Sequence, residues 1–149
     1  EPGNVVIQTY NPEHYAVVTA KAQDYECFYD QEILYRKMGF YPPVWNLLVV
    51  MCTSGQEDVL ARMCEKLVKR LQLHVDSEDA LKGKLIQVVG PTDATIARVN
   101  DVYRKVIYIK TKDYDNLVLL KNKLEYYMKD NREFQNVSVQ FDFNPMSGF

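Results

Sequence analysis

The sequence predicts an α+β fold, a ferredoxin-like domain with the element order βαββαβ, preceded by a short strand and two helices. From residue 44 onward, apolar runs of strand length alternate in this order with amphipathic segments of helix length. The last run, residues 137–143, alternates apolar and polar residues, as expected of a strand with one face on a core. In this split βαβ arrangement, two helices cover one face of a four-stranded antiparallel sheet.

The first 38 residues are predicted to form a separate domain or segment. Val5 to Tyr10 has the composition of a short strand. Two segments with helical spacing follow, at residues 14–22 and 25–38. Gly39 can end the second helix, so we place the domain boundary between residues 38 and 39.

The domain predicted over residues 39–149 contains the four strands and two helices of the ferredoxin-like order. The strands are expected at residues 44–52, 85–89, 103–110 and 137–143, and the helices at residues 56–71 and 113–131. Gly90-Pro91 has the composition of a turn, and residues 92–102 are expected to form a meandering loop.

Alternation along the strands predicts which side chains face away from the core. On the third strand, Ile107 and Ile109 should point to the core, which places Arg104, Tyr108 and Lys110 on the opposite face. The first strand is apolar on both faces. We therefore expect its outer face to be covered by the second predicted helix or by a neighbouring domain.

Several classes of function lack their usual signatures in this sequence. There is no glycine-rich phosphate-binding pattern, and the six glycines are scattered. The three cysteines share no Cys-x-x-Cys spacing and only two histidines occur, so a four-ligand zinc site is not predicted. No apolar run reaches the length of a membrane span. We expect no catalytic residue, metal or cofactor in this chain, and no membrane partner.

A local cationic stretch stands out in a chain of net charge −2. Arginine and lysine can neutralise phosphates, and tyrosine can stack on an unpaired base for about 1 to 3 kcal/mol. The candidate nucleic-acid contacts are Arg98, Tyr103, Arg104, Lys105, Tyr108, Lys110 and Lys112. The alternative is an ordinary hairpin with solvated charges. The stretch lacks the glycines of the RNP1 pattern, which argues against that class of RNA-binding module.

Four short blocks occur in a fixed order along the chain: Gly3–His14, Arg36–Pro43, the stretch from Gly90 to Lys110, and Asp142–Pro145. Together they resemble the C-terminal part of the primosomal protein N′ (PriA) family of replication-restart DNA helicases. The resemblance is collinear over nearly the whole chain.

This resemblance implies that residues 1–38 are the end of the second helicase lobe with its linking helices. Residues 39–149 would be the C-terminal DNA-contacting domain, similar in fold to a small-subunit ribosomal protein. The full-length family member is an ATP-dependent 3′-to-5′ DNA helicase that acts in primosome assembly at abandoned replication forks. Its ATP-, magnesium- and zinc-binding residues would all precede residue 1.

The resemblance also implies the partners and the location. They are single-stranded or forked DNA, the upstream helicase domains, single-stranded-DNA-binding protein and other primosome proteins, in the bacterial cytoplasm at the nucleoid. The predicted interdomain junction consists of Arg36, Tyr41, Pro42 and Pro43.

Two rival functions and one assembly state remain open at this point. A protein-docking module would use the doubly apolar first strand to contact the helicase core or single-stranded-DNA-binding protein. A ribosomal type of RNA binding is a further alternative. The predicted strand at residues 5–10 would have unpaired edges, through which two copies of the chain could form a dimer.

Overall fold

The computed structural model describes residues 3–146. Residues 1–2 and 147–149, the outer ends of the two predicted domains, lie outside this part. The chain divides into two compact units, Glu1–Gly39 and Phe40–Phe149. The assignment of the first unit to a helicase lobe stays a prediction.

The first unit contains two helices, α1 (Tyr15–Ala22) and α2 (Tyr25–Gly39). The Asp24 carboxylate accepts a hydrogen bond from the Cys27 amide at 3.0 Å, which caps the start of α2. Between the helices, the Tyr15 hydroxyl donates to Glu32, which also accepts from the guanidinium of Arg36. Polar contacts thus tie the two helices together.

The strand expected at Val5–Tyr10 is not formed, so this prediction was wrong. Residues 3–9 have no regular secondary structure, and Val5 and Val6 are 90% and 88% exposed. A strand needs a neighbour for its backbone N–H and C=O groups, and no described residue pairs with this segment. Pairing with a second copy stays a prediction.

The second unit has the predicted ferredoxin-like order. Its elements are β1 (Asn46–Ser54), α3 (Glu57–Ser77), β2 (Ile86–Val99), β3 (Val102–Thr111), α4 (Tyr114–Asp130) and β4 (Ser138–Phe143). Short 3-10 turns lie at Asp79–Leu81 and Arg132–Asn136. The sheet is antiparallel with the strand order β2-β3-β1-β4. The ferredoxin-like prediction is confirmed.

The main core lies between the sheet and the two helices. Helix α3 contributes residues at helical spacing, including Leu60, Leu67 and Leu71, and the strands contribute every second residue. Ile107 and Ile109 are fully buried in this core, as predicted. The alternation of β3 therefore fixes which of its side chains face away from the helices.

Helix α3 continues to Ser77, past the predicted end at residue 71. His74, one turn beyond Leu71, is buried, which continues the inward-facing stripe. Because the polar residues Gln72 and Asp76 flank it, the sequence pattern ended the helix too early.

The segment expected to be a loop at residues 92–102 is mostly strand, so this prediction was wrong. Strand β2 continues to Val99 and pairs with β3 around a turn at Asn100-Asp101, where both residues have positive φ (49° and 61°). Positive φ at both positions is the conformation of a tight hairpin turn. Two register shifts interrupt β2, which is why its side chains show no regular alternation.

Gly90 lies at the first of these irregularities. Its φ is +112°, and a Cβ atom built there would lie 2.8 Å from the Val106 carbonyl oxygen on β3. Only glycine combines this conformation with this approach of two backbones. Gly90 therefore allows β2 to bend and still remain paired.

Candidate nucleic-acid interface

The candidate interface is the sheet face opposite α3 and α4, which we call the outer face. Strand pairing places every second residue there. Its members are Leu47, Val49, Met51 and Thr53 of β1, Arg104, Val106, Tyr108 and Lys110 of β3, and Ser138, Gln140 and Asp142 of β4. The predicted orientation of Arg104, Tyr108 and Lys110 away from the core agrees with this register.

The floor of the outer face is apolar. Val49 and Val106 are 1% and 0% exposed, and Met51 and Tyr108 pack against them. Ala94, which lies within the irregular part of β2, belongs to the same cluster. Residues of the second unit therefore supply part of the cover that the doubly apolar β1 requires.

Two cations lie along β3 on the outer face, and a third follows the end of the strand. Arg104 and Lys110 share this orientation by alternation, with Tyr108 between them, and Lys112 comes one residue after β3 ends at Thr111. Arg104 and Lys110 are six residues apart, about 20 Å along a strand. The Arg104 guanidinium lies 3.2 Å from the Met51 sulfur. Positive charge therefore lies on both sides of the half-buried Tyr108 ring.

Two aromatic side chains hold the lysines of this row. The Lys110 Nζ lies 4.0 Å from the ring centroid of Tyr41, and the Lys112 Nζ lies 5.5 Å from that of Trp45. The Trp45 amide donates to the Tyr41 carbonyl at 3.2 Å, which links the two aromatic residues. Trp45 is not among the contacts predicted from the sequence, although an aromatic residue immediately before an apolar strand was a usable signal.

The outer face is not uniformly cationic. Val49 pairs with Tyr108 on one side and with Asp142 on the other, so a carboxylate lies two strands away from the tyrosine. Gln140 and Ser138 continue the β4 side as neutral polar groups. Positive charge is therefore confined to the β3 side of the face.

The other three predicted contacts lie at the β2–β3 hairpin. Tyr103 is half-buried against the main core, and the Arg98 guanidinium lies 5.0 Å from its ring centroid. Arg98 also pairs with Asp101 at 2.5 Å. Since Arg98 lies over the Tyr103 ring, that face of the ring is not available for stacking on a base.

Lys105 is also separated from the cation row. It pairs with Cys52 in the strand register, which places it on the same side as α3 and α4. Its Nζ lies 2.7 Å from the Asp93 carboxylate. The structure thus brings together Arg104, Tyr108, Lys110 and Lys112, and it places Arg98, Tyr103 and Lys105 elsewhere.

The predicted junction residues fall in two settings. Arg36 lies in α2, where its Nε donates to Glu32 at 2.6 Å. Tyr41 is 50% exposed and contacts Lys110. Pro42 and Pro43 follow it and are joined by a cis peptide bond. Tyr41 therefore belongs to the outer face by its contacts as well as to the predicted junction.

The buried thiols of the main core are shielded from solvent. Cys52 and Cys64 are fully buried, and the hydrogen bond with Cys64 together with burial raises the pKa of Cys52, whereas the same hydrogen bond lowers the pKa of Cys64. Among residues 3–146, no three His, Cys, Asp or Glu side chains are grouped so that they could hold a metal ion. No helix in the described part of the chain is long and apolar enough to span a bilayer.

The fold and the site together define a small ferredoxin-like domain with a cation-lined sheet surface. Residues 37–146 match the family described as the primosomal protein N C-terminal domain. The chain belongs to this family.

Relatives named replication restart protein PriA agree with this assignment. The replication restart protein PriA of Bacillus subtilis (strain 168) is 34% identical over 146 residues, which cover 97% of this chain and 17% of the relative. The replication restart protein PriA of Chlamydia pneumoniae is 43% identical over 148 residues, which cover 99% of this chain and 18% of the relative. The chain thus spans less than a fifth of the length of either relative. Among solved structures, the de novo designed protein Foldit4 is 14% identical, with a TM-score of 0.45 over 69% of this chain and 99% of its own.

Proposed function

We propose that this chain contributes DNA binding to a replication-restart helicase, and that the contact is made by the outer face. Arg104, Lys110 and Lys112 would bind phosphates, and Tyr108 would contact an unpaired base. The observation that supports this most is that Arg104 and Lys110 lie on one sheet face with Tyr108 between them, and that Lys112 follows directly after the strand. Membership in the primosomal protein N C-terminal family supports the same function.

The geometry favours a single strand over a duplex. A sheet offers an extended surface for a strand with unpaired bases, whereas duplex readout needs an element that enters a groove. The row from Arg104 to Lys110 spans about 20 Å, the length of about six stacked nucleotides at roughly 3.4 Å each. A short single-stranded segment, such as one arm of a fork, fits this surface.

The activity of the whole protein is part of the same proposal. The helicase would be ATP-dependent, would move 3′ to 5′ and would act in primosome assembly in the bacterial cytoplasm at the nucleoid. Residues that bind ATP, magnesium and zinc would belong to the rest of the longer protein, since this chain covers 17% of the Bacillus relative. The upstream helicase domains and single-stranded-DNA-binding protein would be its protein partners.

The test compares DNA affinity in an outer-face variant and in a charge-matched control. Arg104→Ala, Lys110→Ala and Lys112→Ala combined should weaken binding to labelled single strands about tenfold or more, because three phosphate contacts are lost. The control combines Arg62→Ala, Lys69→Ala and Lys84→Ala, three exposed cations of the same unit. Fluorescence anisotropy with single-stranded, duplex and forked DNA measures both. If the two triple variants lost the same DNA affinity, the outer face would not be the specific DNA-binding site.

The apolar floor supports a second candidate function, docking of a protein such as the helicase core or single-stranded-DNA-binding protein. A depression of about 410 Å³ lies on the β4 side of the outer face and is lined by Val49, Met51, Gln140, Phe141 and Asp142. The affinity of apolar docking changes little with salt concentration, whereas the affinity for phosphates falls steeply as salt rises.

Tighter binding to RNA than to DNA in the same assay would favour the ribosomal type of function.

A further inference from the structure

The β4 side of the outer face carries two polar side chains that the proposed phosphate contacts do not use. Asp142 and Gln140 are exposed, and the strand register turns both away from α3 and α4. Within residues 3–146, neither side chain forms an ion pair or a hydrogen bond with another residue. A carboxylate and an amide are therefore open to a ligand on this side of the face.

The strand register aligns these side chains with Tyr108. Val49 pairs with Asp142 on one side and with Tyr108 on the other, and Met51 pairs with Gln140. Because neighbouring strands lie about 4.8 Å apart, the backbones at Asp142 and Tyr108 are about 10 Å apart across the face. The depression of about 410 Å³ lies on this line, with Val49 and Met51 as its apolar floor and Gln140 and Asp142 as polar lining. Such a depression accommodates a flat ring whose edge carries N–H donors.

The charges on the two sides of the face select the kind of ligand. Arg104 and Lys110 on β3 repel a cationic segment, and Asp142 on β4 repels an anionic one. A nucleotide of a single strand complements both sides, because its phosphate is anionic and the far edge of its base carries hydrogen-bond donors. The outer face therefore fits a nucleotide with its phosphate towards β3 and its base towards β4.

A carboxylate in this position discriminates between the four bases. An ionised carboxylate only accepts hydrogen bonds, and its two oxygens can accept from two parallel N–H groups. The Watson–Crick edge of guanine presents N1–H and the N2 amino group side by side. Adenine and cytosine present one amino group next to an acceptor nitrogen, and thymine presents one N–H between two carbonyl oxygens. Acceptors next to a carboxylate repel it, so guanine is the base that matches Asp142.

We propose that the depression on the β4 side of the outer face binds an unpaired guanine, and that Asp142 selects this base. The base that Tyr108 contacts lies over Val49 and Met51, and its N1–H and N2 amino group donate to the Asp142 carboxylate. The Gln140 amide nitrogen donates to the guanine O6. This inference rests on the proposed contact of the outer face with single-stranded DNA and adds a base preference to it.

The probe is a set of labelled single strands of about six nucleotides, the length that the face spans. They consist of thymine with one central guanine, adenine, cytosine or hypoxanthine, or of thymine alone. Fluorescence anisotropy with the full chain should show about five- to tenfold tighter binding of the guanine strand than of the thymine strand, because a bidentate contact is gained. The hypoxanthine strand, which lacks the N2 amino group, should bind with an affinity between the two.

Asp142→Asn separates base selection from the rest of the site. This variant should bind the guanine strand no more tightly than the thymine strand, while its affinity for the thymine strand does not fall, since the phosphate contacts remain. Asp130→Asn removes the same charge at the end of α4, on the other side of the sheet, and should keep the guanine preference.

Two results distinguish the failure of this inference from the failure of the proposed function. Equal binding of all five strands by the unaltered chain, or an unchanged guanine preference in Asp142→Asn, would overturn the guanine site and leave the single-strand contact standing. Absence of binding to every strand at low salt would overturn both, and the depression would then remain available to a protein segment.

Discussion

At the scale of single residues, the outer face depends on how its cations are held. A lysine side chain has rotamer freedom that it loses on binding a phosphate, at a cost of up to about 2 kcal/mol. Tyr41 and Trp45 lie within cation–π distance of Lys110 and Lys112 and restrict this freedom in advance. Lys105 and Arg98 are held by the carboxylates of Asp93 and Asp101, which compete with any phosphate.

Gly90 is the residue on which the bend of β2 depends. Gly90→Ala should destabilise the chain by about 1 to 3 kcal/mol, because alanine disfavours a φ of +112° and its Cβ would meet the Val106 carbonyl oxygen at 2.8 Å. Urea unfolding followed by the fluorescence of Trp45, the single tryptophan, measures the free energy of unfolding.

The matched control is Gly55→Ala, where an added Cβ would meet nothing within 4 Å. It should leave stability within about 1 kcal/mol of the unaltered chain. Equal effects of the two substitutions would contradict the close approach of β2 to β3 at Gly90.

At the scale of elements, α3 and α4 are joined by a charged cluster around a buried histidine. Burial lowers the pKa of His74, and the positive charges of Arg70 and Lys123 lower it further. Glu78 lies 3.7 Å from the His74 Nδ1 and 2.6 Å from the Lys123 Nζ. The His74 Nε2 is buried without a hydrogen-bond partner. The folded state therefore favours the neutral imidazole.

Stability should consequently fall as the pH drops below the ordinary histidine pKa of about 6.5. Because the folded-state pKa of His74 is lowered, the unfolded chain binds the proton first, and the stabilisation present above that pH is lost on acidification. Between about pH 7.5 and pH 5.5, the free energy of unfolding measured with urea should fall less in His74→Leu than in the unaltered chain. In His14→Gln it should fall as much as in the unaltered chain. An unchanged pH dependence in His74→Leu would contradict this assignment.

The elements that the sequence predicted well are those with a regular pattern. Strand β1 is an apolar run, β4 alternates and α4 begins at its predicted cap, Asp113, whose side chain accepts from the Asp115 amide. Residues 92–99 were mistaken for a loop because bulges erase the alternation of β2. The strand at residues 5–10 was predicted from composition alone, which cannot reveal that a strand has no neighbour.

For the candidate site too, the sequence predicted the part that follows a regular strand pattern. Alternation on β3 correctly separated Arg104, Tyr108 and Lys110 from the core-facing isoleucines. A count of cations along the chain could not separate the two faces, so it also included Lys105. The ion pair of Lys105 with Asp93 depends on the extended β2–β3 hairpin, which the sequence pattern did not reveal.

At the scale of the whole molecule, the second unit carries the outer face and, separately, an apolar groove between β4 and the C-terminal end of α4. The outer face has Arg104 and Lys110 of β3, and the groove is lined in part by Lys129 and Arg132. The family match, residues 37–146, covers both features.

The most direct test of the proposed DNA contact is the salt dependence of single-strand binding, measured by fluorescence anisotropy between about 50 and 200 mM salt. Each phosphate contact with a single strand contributes roughly 0.7 to the slope of log affinity against log salt. The triple substitution of Arg104, Lys110 and Lys112 by alanine should therefore lower that slope by about 2. An unchanged slope in this variant would contradict the account and would assign DNA contact to another surface.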